Sequence, residues 1–385
     1  VSEKKKSVVP RLRFPEFRDA GPWEVIRIGE VFRVTRGQVL ATSLISDRLS
    51  TETPYPVYSS QTKNDGLLGY YSDFLYQDSI TWTTDGANAG EVKYRKGKFY
   101  CTNVCGVLVN EEGYANTCVA EILNSRTKKH VSYVGNPKLM NGVMAQIEIP
   151  LPNIEEQQKI ADCLSSLDEL IELQAKKVEA LKQHKKGLLQ QLFPREGETT
   201  PRLRFPEFRD AGPWEVKKLG EVINTISPPK KLQTTDYLQR GRFPIIDQSP
   251  SNFCGWTNDE GALVKADFPL VIFGDHTCVV KLATEPFAQG ADGIKILSPT
   301  SEVIARFLFQ FLQANPVEQK GYKRHFSTLK KMRVAFPHKD TGEQQKIAEC
   351  LSSLDELIEL EAKKLNALKQ HKKGLLQQLF PQEVA

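Results

Sequence analysis

Two stretches of the chain carry apolar residues at alternating spacings of four and three. In the first these are Ile160, Leu164, Leu167, Ile171, Val178, Leu181, Leu188 and Leu192, interrupted by Gln174 and Lys185. In the second they are Ile347, Leu351, Leu354, Ile358, Leu365, Leu368, Leu375 and Leu379, interrupted by Glu361 and Lys372. Such a spacing is a heptad seam, so each stretch predicts a long helix that pairs with another helix. Pro152 and Pro194 bracket the first helix, and Pro381 ends the second. At ~36 residues and 1.5 Å per residue, each helix would be ~54 Å long.

The two stretches are copies of each other. Residues 156–194 recur as residues 343–381 with four differences in 39 positions, which are Asp162/Glu349, Gln174/Glu361, Val178/Leu365 and Glu179/Asn366. A second string, Pro-Arg-Leu-Arg-Phe-Pro-Glu-Phe-Arg-Asp-Ala-Gly-Pro-Trp-Glu-Val, stands unchanged at residues 10–25 and 201–216. A repeat unit of about 190 residues is far too long for a solenoid and predicts two domain-sized halves. Between the identical blocks only a faint alignment survives. Tyr55-Pro56-Val57 answers Phe243-Pro244-Ile245, and Thr84-Asp85-Gly86 with Val92-Lys93 answers Gly274-Asp275-His276 with Val280-Lys281. Lys138-Leu139-Met140 answers Thr328-Leu329-Lys330. The middles therefore read as one fold with different surfaces. Drift after duplication would also have touched the helices and the lead-in string, and it has not.

Charge decides how the helices pair. Asp162, Asp168, Glu169 and Glu172 crowd the first half of one helix, as Glu349, Asp355, Glu356 and Glu359 do in the other. Lys176, Lys177, Lys182, Lys185 and Lys186 fill the second half, as do Lys363, Lys364, Lys369, Lys372 and Lys373. A parallel pair would set like charge against like, whereas an antiparallel pair sets acid against base and also suits the helix dipoles. Each exposed pair contributes only ~0.2–0.5 kcal/mol, but together they fix orientation. The helix-pairing residues are then Leu164, Leu167, Ile171, Gln174 and Leu181 with Leu351, Leu354, Ile358, Glu361 and Leu368. Gln174 and Glu361 would meet near the midpoints. Lys185 would fall near Glu349 and Cys350, and Lys372 near Asp162 and Cys163.

Composition narrows the class. With 40% apolar and 26% charged residues the chain can bury a sizeable core, and no apolar run approaches the ~20 residues of a membrane span. The basic, polar residues 1–6 lack the apolar region of a signal peptide. Seven cysteines, with Cys101 and Cys105 as the one close pair, point to reduced core thiols rather than a zinc site. A cytoplasmic protein with no metal and no membrane partner is expected. A net charge of +5 neither requires nor excludes nucleic acid.

No catalytic residues emerge. There is no GxGxxG or GxxxxGK[ST] string, and Ser227-Pro228-Pro229-Lys230 lacks both ends of a methyltransferase base-holding motif. Asp85, Glu91 and Lys93 superficially resemble a nuclease cluster, but the second half has no match for the glutamate. His276 beside Asp275 has no nucleophile to serve and reads as a turn histidine.

With these residues the chain resembles the specificity subunit of type I restriction–modification systems over essentially its whole length. The resemblance is carried by Pro22-Trp23-Glu24-Val25 and Pro213-Trp214-Glu215-Val216, by Gly274-Asp275-His276-Thr277, and by Phe326 to Met332. The strings 150–160 and 343–348, and above all the order domain, long helix, domain, long helix, complete it. It implies an α+β fold with two target-recognition domains of mixed strands and helices (1–152 and 195–340). Two helical spacers (153–194 and 341–385) would form an intramolecular antiparallel coiled coil, pseudo-twofold overall. It implies a non-catalytic, sequence-specific DNA-binding subunit in which each domain reads one half of a split, asymmetric site on double-stranded DNA. The helices would set the spacing and dock two methyltransferase subunits, which would hold S-adenosylmethionine, and restriction subunits would join for cleavage. This chain itself would need no cofactor. Gln157, Gln158, Gln344 and Gln345 are candidate docking residues. Trp23 and Trp214, being identical in both halves, would pack the domain base rather than read bases.

Base and phosphate contacts use Lys, Arg, Asn, Gln and small polar side chains. The candidate DNA-binding residues are Ser60, Gln61, Lys63, Asn64, Asn88 and Lys138 in the first domain. In the second they are Gln248, His276, Thr277, Lys323, Arg324, Lys330 and Lys331. The reading of a different class is a coiled-coil protein-interaction scaffold with no DNA role.

Overall fold

A computed structural model describes residues 7–60, 63–291, 293–321 and 323–381. The chain forms two compact units, residues 1–174 with 364–385, and residues 175–363. Each unit thus combines one globular domain with the first half of one long helix and the last half of the other.

The long helices are Ile154–Leu192 and Glu343–Leu379. The first starts where the Asn153 side chain accepts the Glu156 N–H at 2.8 Å, satisfying one of the free donors of the opening turn. The second follows Gly342, whose φ of 79° turns the backbone out of the short helical turn Lys339–Thr341. In the first unit Ile160, Ala161 and Leu164 share a core with Leu375, Leu376, Leu379 and Phe380, while Asp168 bonds Lys372. In the second unit Leu189, Leu192 and Phe193 share a core with Ile347, Ala348 and Leu351, while Lys185 bonds Asp355 and Lys177 bonds Glu361. In both, rising numbers on one helix meet falling numbers on the other, so the pairing is antiparallel and within one chain. All the seam positions are buried or half-buried, whereas Leu170, Leu173, Leu357 and Leu360 lie off the seam and are exposed.

The lysine partners differ from the expected ones. Lys185 reaches Asp355 at 2.5 Å rather than the neighbourhood of Glu349 and Cys350. Lys372 reaches Asp168 at 2.7 Å rather than Asp162 and Cys163. The shift is about one and a half helical turns. A seam lysine must carry its ammonium out to a carboxylate at the rim, and the neighbouring domain supplies further partners there, Gln313 for Lys185 and Glu121 for Lys372.

Each domain hangs on its helix through the lead-in string. In the first unit Trp23–Arg27 lies between Ser7–Val8 and Glu148–Leu151 in an antiparallel sheet. In the second, Glu215–Lys218 pairs antiparallel with Arg333–Phe336. The last strand of each domain leads within a few residues to the start of a long helix, in the second unit through the turn Lys339–Thr341, so this pairing brings the lead-in string to the helix start.

The main sheets share one plan. In the first domain the strand order is Arg33–Arg36, Cys105–Val109, Tyr76–Thr83, Val92–Cys101, Tyr55–Tyr58, Leu67–Tyr71, antiparallel except where Tyr55–Tyr58 joins Val92–Cys101 in parallel. The second domain repeats it as Ile223–Ile226, Ile294–Pro299, Leu270–Gly274, Val280–Ala283. There the last long strand breaks, and the short strand Ala288–Gln289 takes over the parallel pairing with Phe243–Ile246, followed by Gly255–Thr257. Trp82 and Phe273 occupy equivalent core positions and are 1% and 0% exposed. Burying such a side chain contributes roughly 1.5–3 kcal/mol.

Candidate nucleic-acid interface

The identical residues hold, and the unlike residues are displayed. In the first unit the Arg13 guanidinium makes two bonds to Glu156, at 2.7 and 2.6 Å, and the Trp23 indole N–H donates to the same carboxylate at 3.2 Å. In the second, Arg204 bonds Glu343 twice at 2.7 Å, and Trp214 donates at 3.3 Å. Both glutamates are 1% exposed, and bonding to them raises the pKa of each arginine. The same string also grips the end of the other long helix. Leu12 N–H donates to the Gln378 carbonyl and Trp23 lies 6.5 Å from Phe380 in the first unit. In the second, Leu203 N–H donates to the Gln191 carbonyl and Trp214 lies 6.3 Å from Phe193.

Gln157 and Gln344, expected on a docking face, are buried instead. Gln157 receives an amide hydrogen of Asn116, the N-cap of the domain helix Thr117–Asn124, and donates to the Pro152 carbonyl. Gln344 accepts from Ile304 N–H ahead of Ala305–Ala314 and donates to the carbonyls of Glu302 and Pro337. A glutamine satisfies both sides at once, which is why the same residue serves both domains. Gln158 and Gln345 are exposed and bond within their helices to Asp162 and Glu349.

The first domain gathers its candidate residues in loops at one end of its sheet. Ser60 and Asn64 lie in the loop between Tyr55–Tyr58 and Leu67–Tyr71, Asn88 in the turn between Tyr76–Thr83 and Val92–Cys101, and Lys138 in the segment before Asn141–Gln146. Gln61 lies outside the described residues, and of Lys63 only the backbone is described. Asp85 bridges the turn to the segment through Lys138, 3.7 Å away. Asp65 joins its loop to the sheet through Lys93 and Arg95. Glu91 stands 3.8 Å from Lys93. Among the described residues no group of three His, Cys, Asp or Glu side chains could hold a metal ion. Sequence reading had no reason to join Arg95 to this loop, because it meets Asp65 and Tyr58 only through the strand pairing. Arg95 stacks on Tyr58, 3.8 Å from the ring centre.

In the second domain Gln248, His276, Thr277, Lys323 and Arg324 come together. Thr277 Oγ donates to the Gln248 carbonyl at 2.7 Å, Gln319 donates to the His276 carbonyl, and His325 N–H donates to Asp275. Lys323 and Arg324 are exposed beside this turn. The Asp275 carboxylate also accepts Phe326 N–H, so it caps Phe326–Lys331. Lys330 and Lys331 lie at the other end of that helix, where Lys330 abuts Gly220. The structure does not bring them to the loops.

Two registers shift against the faint alignment. Thr84 N–H donates to the Val104 carbonyl as Asp275 N–H does to Gly293, so Asp275 answers Thr84 and His276 answers Asp85. Met144 and Leu329 are the buried residues of equivalent short helices before the last strand, so Lys138 answers the region of Lys323 rather than Thr328. Short strings slide easily in an unaligned middle, and only the hydrogen-bond ladder pins them. The Val92-Lys93 and Val280-Lys281 match holds, since Trp82 pairs with Val92 as Phe273 does with Val280.

The family "Type I restriction modification DNA specificity domain" matches residues 21–183 and again residues 212–370. The chain belongs to this family. Its two heads are target-recognition domains, and specificity subunits of type I systems are non-catalytic, with catalysis in partner subunits. The chain is similar to the MjaVIII specificity subunit of Methanocaldococcus jannaschii, 27% identical over 96% of this chain and 93% of that one. It is 36% identical to a putative type I specificity subunit of Mycoplasma pneumoniae, over 39% of this chain and 49% of that relative's length. A crystal structure of a type I S subunit from M. genitalium shares the fold, with a TM-score of 0.71, 18% identity and 97% and 99% of the two chains covered. Among the described residues no helix is long and apolar enough to cross a membrane.

Proposed function

We propose that each target-recognition domain reads one half of a split, asymmetric site on double-stranded DNA. Reading is by the loops that carry Ser60, Asn64, Asn88 and Lys138 in one domain, and Gln248, His276, Thr277, Lys323 and Arg324 in the other. The long helices set the spacing of the half-sites and dock two methyltransferase subunits, which hold S-adenosylmethionine; restriction subunits join for cleavage. One observation carries this reading. Two domains with the same strand order, on the same buried Arg–Glu–Trp anchor, display loops of unlike chemistry at the same end of the sheet. A protein that held one partner twice would have kept its loops as similar as its anchors.

The test is an exchange of residues 217–342 for the corresponding segment of another family member. The assembled complex is then used to methylate genomic DNA, and the modified sequences are mapped. The expected result changes one half of the site and leaves the other half intact. An unchanged methylated sequence together with altered protein partners would establish the scaffold reading instead.

A further inference from the structure

A lysine stands at the same register of both recognition domains. Lys93 pairs across the sheet with Thr81, and Lys281 with Ile272, the residues just before Trp82 and Phe273. Both lysines reach the loop that leaves the parallel-paired strand, and both end at an aspartate. The aspartates come from different places in the loop. Asp247 directly follows Phe243–Ile246, whereas Asp65 lies near the end of its loop, just before Leu67–Tyr71.

In the second domain the contact is buried. The Lys281 side chain is 6% exposed, and its ammonium donates to the Asp247 carbonyl at 2.7 Å and stands 3.8 Å from the Asp247 carboxylate. That carboxylate accepts both N–H and O–H of Ser249, at 2.9 and 2.6 Å. Burial works to raise the Asp247 carboxyl, but the Ser249 bonds, the Cys254 thiol and the Lys281 charge together outweigh it and leave it below the usual carboxylate range. Burial lowers the Lys281 ammonium. With Thr277 bonded to the Gln248 carbonyl, two successive loop carbonyls are held by side chains arriving from the sheet and its turn.

In the first domain Asn64, Asp65 and Gly66 all have positive φ, 49°, 59° and 82°. Non-glycine residues avoid this region, so such a run persists only where the surroundings hold it. Lys93 bonds the Asp65 carboxylate, and Arg95 bonds it at 3.0 Å while stacked on Tyr58 and bonded to Thr81.

We propose that Lys93–Asp65 and Lys281–Asp247 are positioning pairs, one per recognition domain, that hold each reading loop in its DNA-competent shape without themselves contacting DNA. This rests on the loops being the DNA-reading elements. Lys281 is buried and has no reach to a phosphate, and Lys93 and Arg95 are balanced by Asp65 and Glu91, so neither lysine suits a direct contact.

The test uses Lys281→Met, Lys93→Met and the milder Asp65→Asn in the full chain assembled with its methyltransferase subunits. Amide hydrogen exchange is expected to quicken about tenfold in residues 247–254 for the first variant and 63–67 for the others, with residues 13–27 unchanged. Discrimination is expected to fall about tenfold at the half-site of the altered domain only, with the salt dependence of non-specific binding unchanged. Unchanged exchange would overturn the proposal. So would a drop of about 0.9 in the slope of log K against log salt, the mark of one phosphate no longer neutralised by the protein. If the unaltered complex shows no sequence preference, the functional reading fails, and the exchange data still decide whether the pairs position the loops.

Discussion

Lys372 donates to both oxygens of Asp168, at 2.7 and 2.8 Å, from a helix that begins at Glu343. Burial works to lower this ammonium, but bonds to Asp168 and Glu121 outweigh it and the pKa is raised. A lysine raised on folding contributes stability that is complete below its unfolded pKa of ~10.4 and is lost as pH climbs through the higher folded value. The share of stability that Lys372 contributes is therefore expected to be lost above about pH 10.4, and Lys372→Met should lessen the alkaline fall there. At neutral pH the variant should cost about 1 kcal/mol, since Asp168 is 46% exposed and keeps much of its water. Urea unfolding at neutral and alkaline pH measures both effects; a slope above about pH 10.4 that the substitution leaves unchanged rejects the assignment.

Glu156→Ala and Glu343→Ala should each cost about 3–5 kcal/mol, because each strands a mostly buried arginine and an indole donor. The two costs should agree within about 0.5 kcal/mol, as the surroundings are near copies. Chemical denaturation of both variants settles this, and a cost under about 1 kcal/mol in either would show that the anchor is not structural.

Lys323→Ala with Arg324→Ala should weaken DNA binding across all sequences and flatten its salt dependence by about 0.9 for each phosphate the variant no longer neutralises. Lys330→Ala with Lys331→Ala should leave the salt slope as it was, because these residues sit at the far end of their helix. Binding titrations at several salt concentrations compare the pairs, and the reverse ranking would move the interface to that helix end.

The helices were legible because a heptad seam with alternating spacing needs only local sequence, and the charge halves gave their direction. The domain partners of Lys185 and Lys372 were not legible, since Gln313 and Glu121 come from segments between which only a faint alignment survives. Gln157 and Gln344 look like surface residues by type, and only the domain helix packed on them makes them internal. Residue type at turn positions located the loops that carry Ser60, Asn64, Asn88, Gln248, His276 and Thr277, but placed Lys330 and Lys331 with them although they lie at the far end of their helix. The pairing of Asp65 with Arg95 was hidden because it follows from strand register, and strand register is set by non-local bonds.

Burial pushes the Cys105 thiol up to about 11 and Cys101 still higher, and raises Cys118 as well. These thiols stay protonated at about pH 8, so iodoacetamide should spare them in the native protein and modify all seven cysteines only after unfolding. Peptide mass mapping before and after denaturant checks this, and early labelling of Cys101 or Cys105 would contradict the packing.

The candidate reading loops are secured from the sheet and its turns: Lys281 and Thr277 hold the backbone carbonyls of Asp247 and Gln248, and Lys93 and Thr102 hold the side chains of Asp65 and Ser59. The residues at the loop tips are therefore spared the work of folding. A library randomised at positions 60–63 or 250–252, which leaves Asn64 and Ser249 in place, should yield mostly folded proteins that differ in the DNA they choose. A gene built this way can change its target by small steps, each variant starting from an intact scaffold.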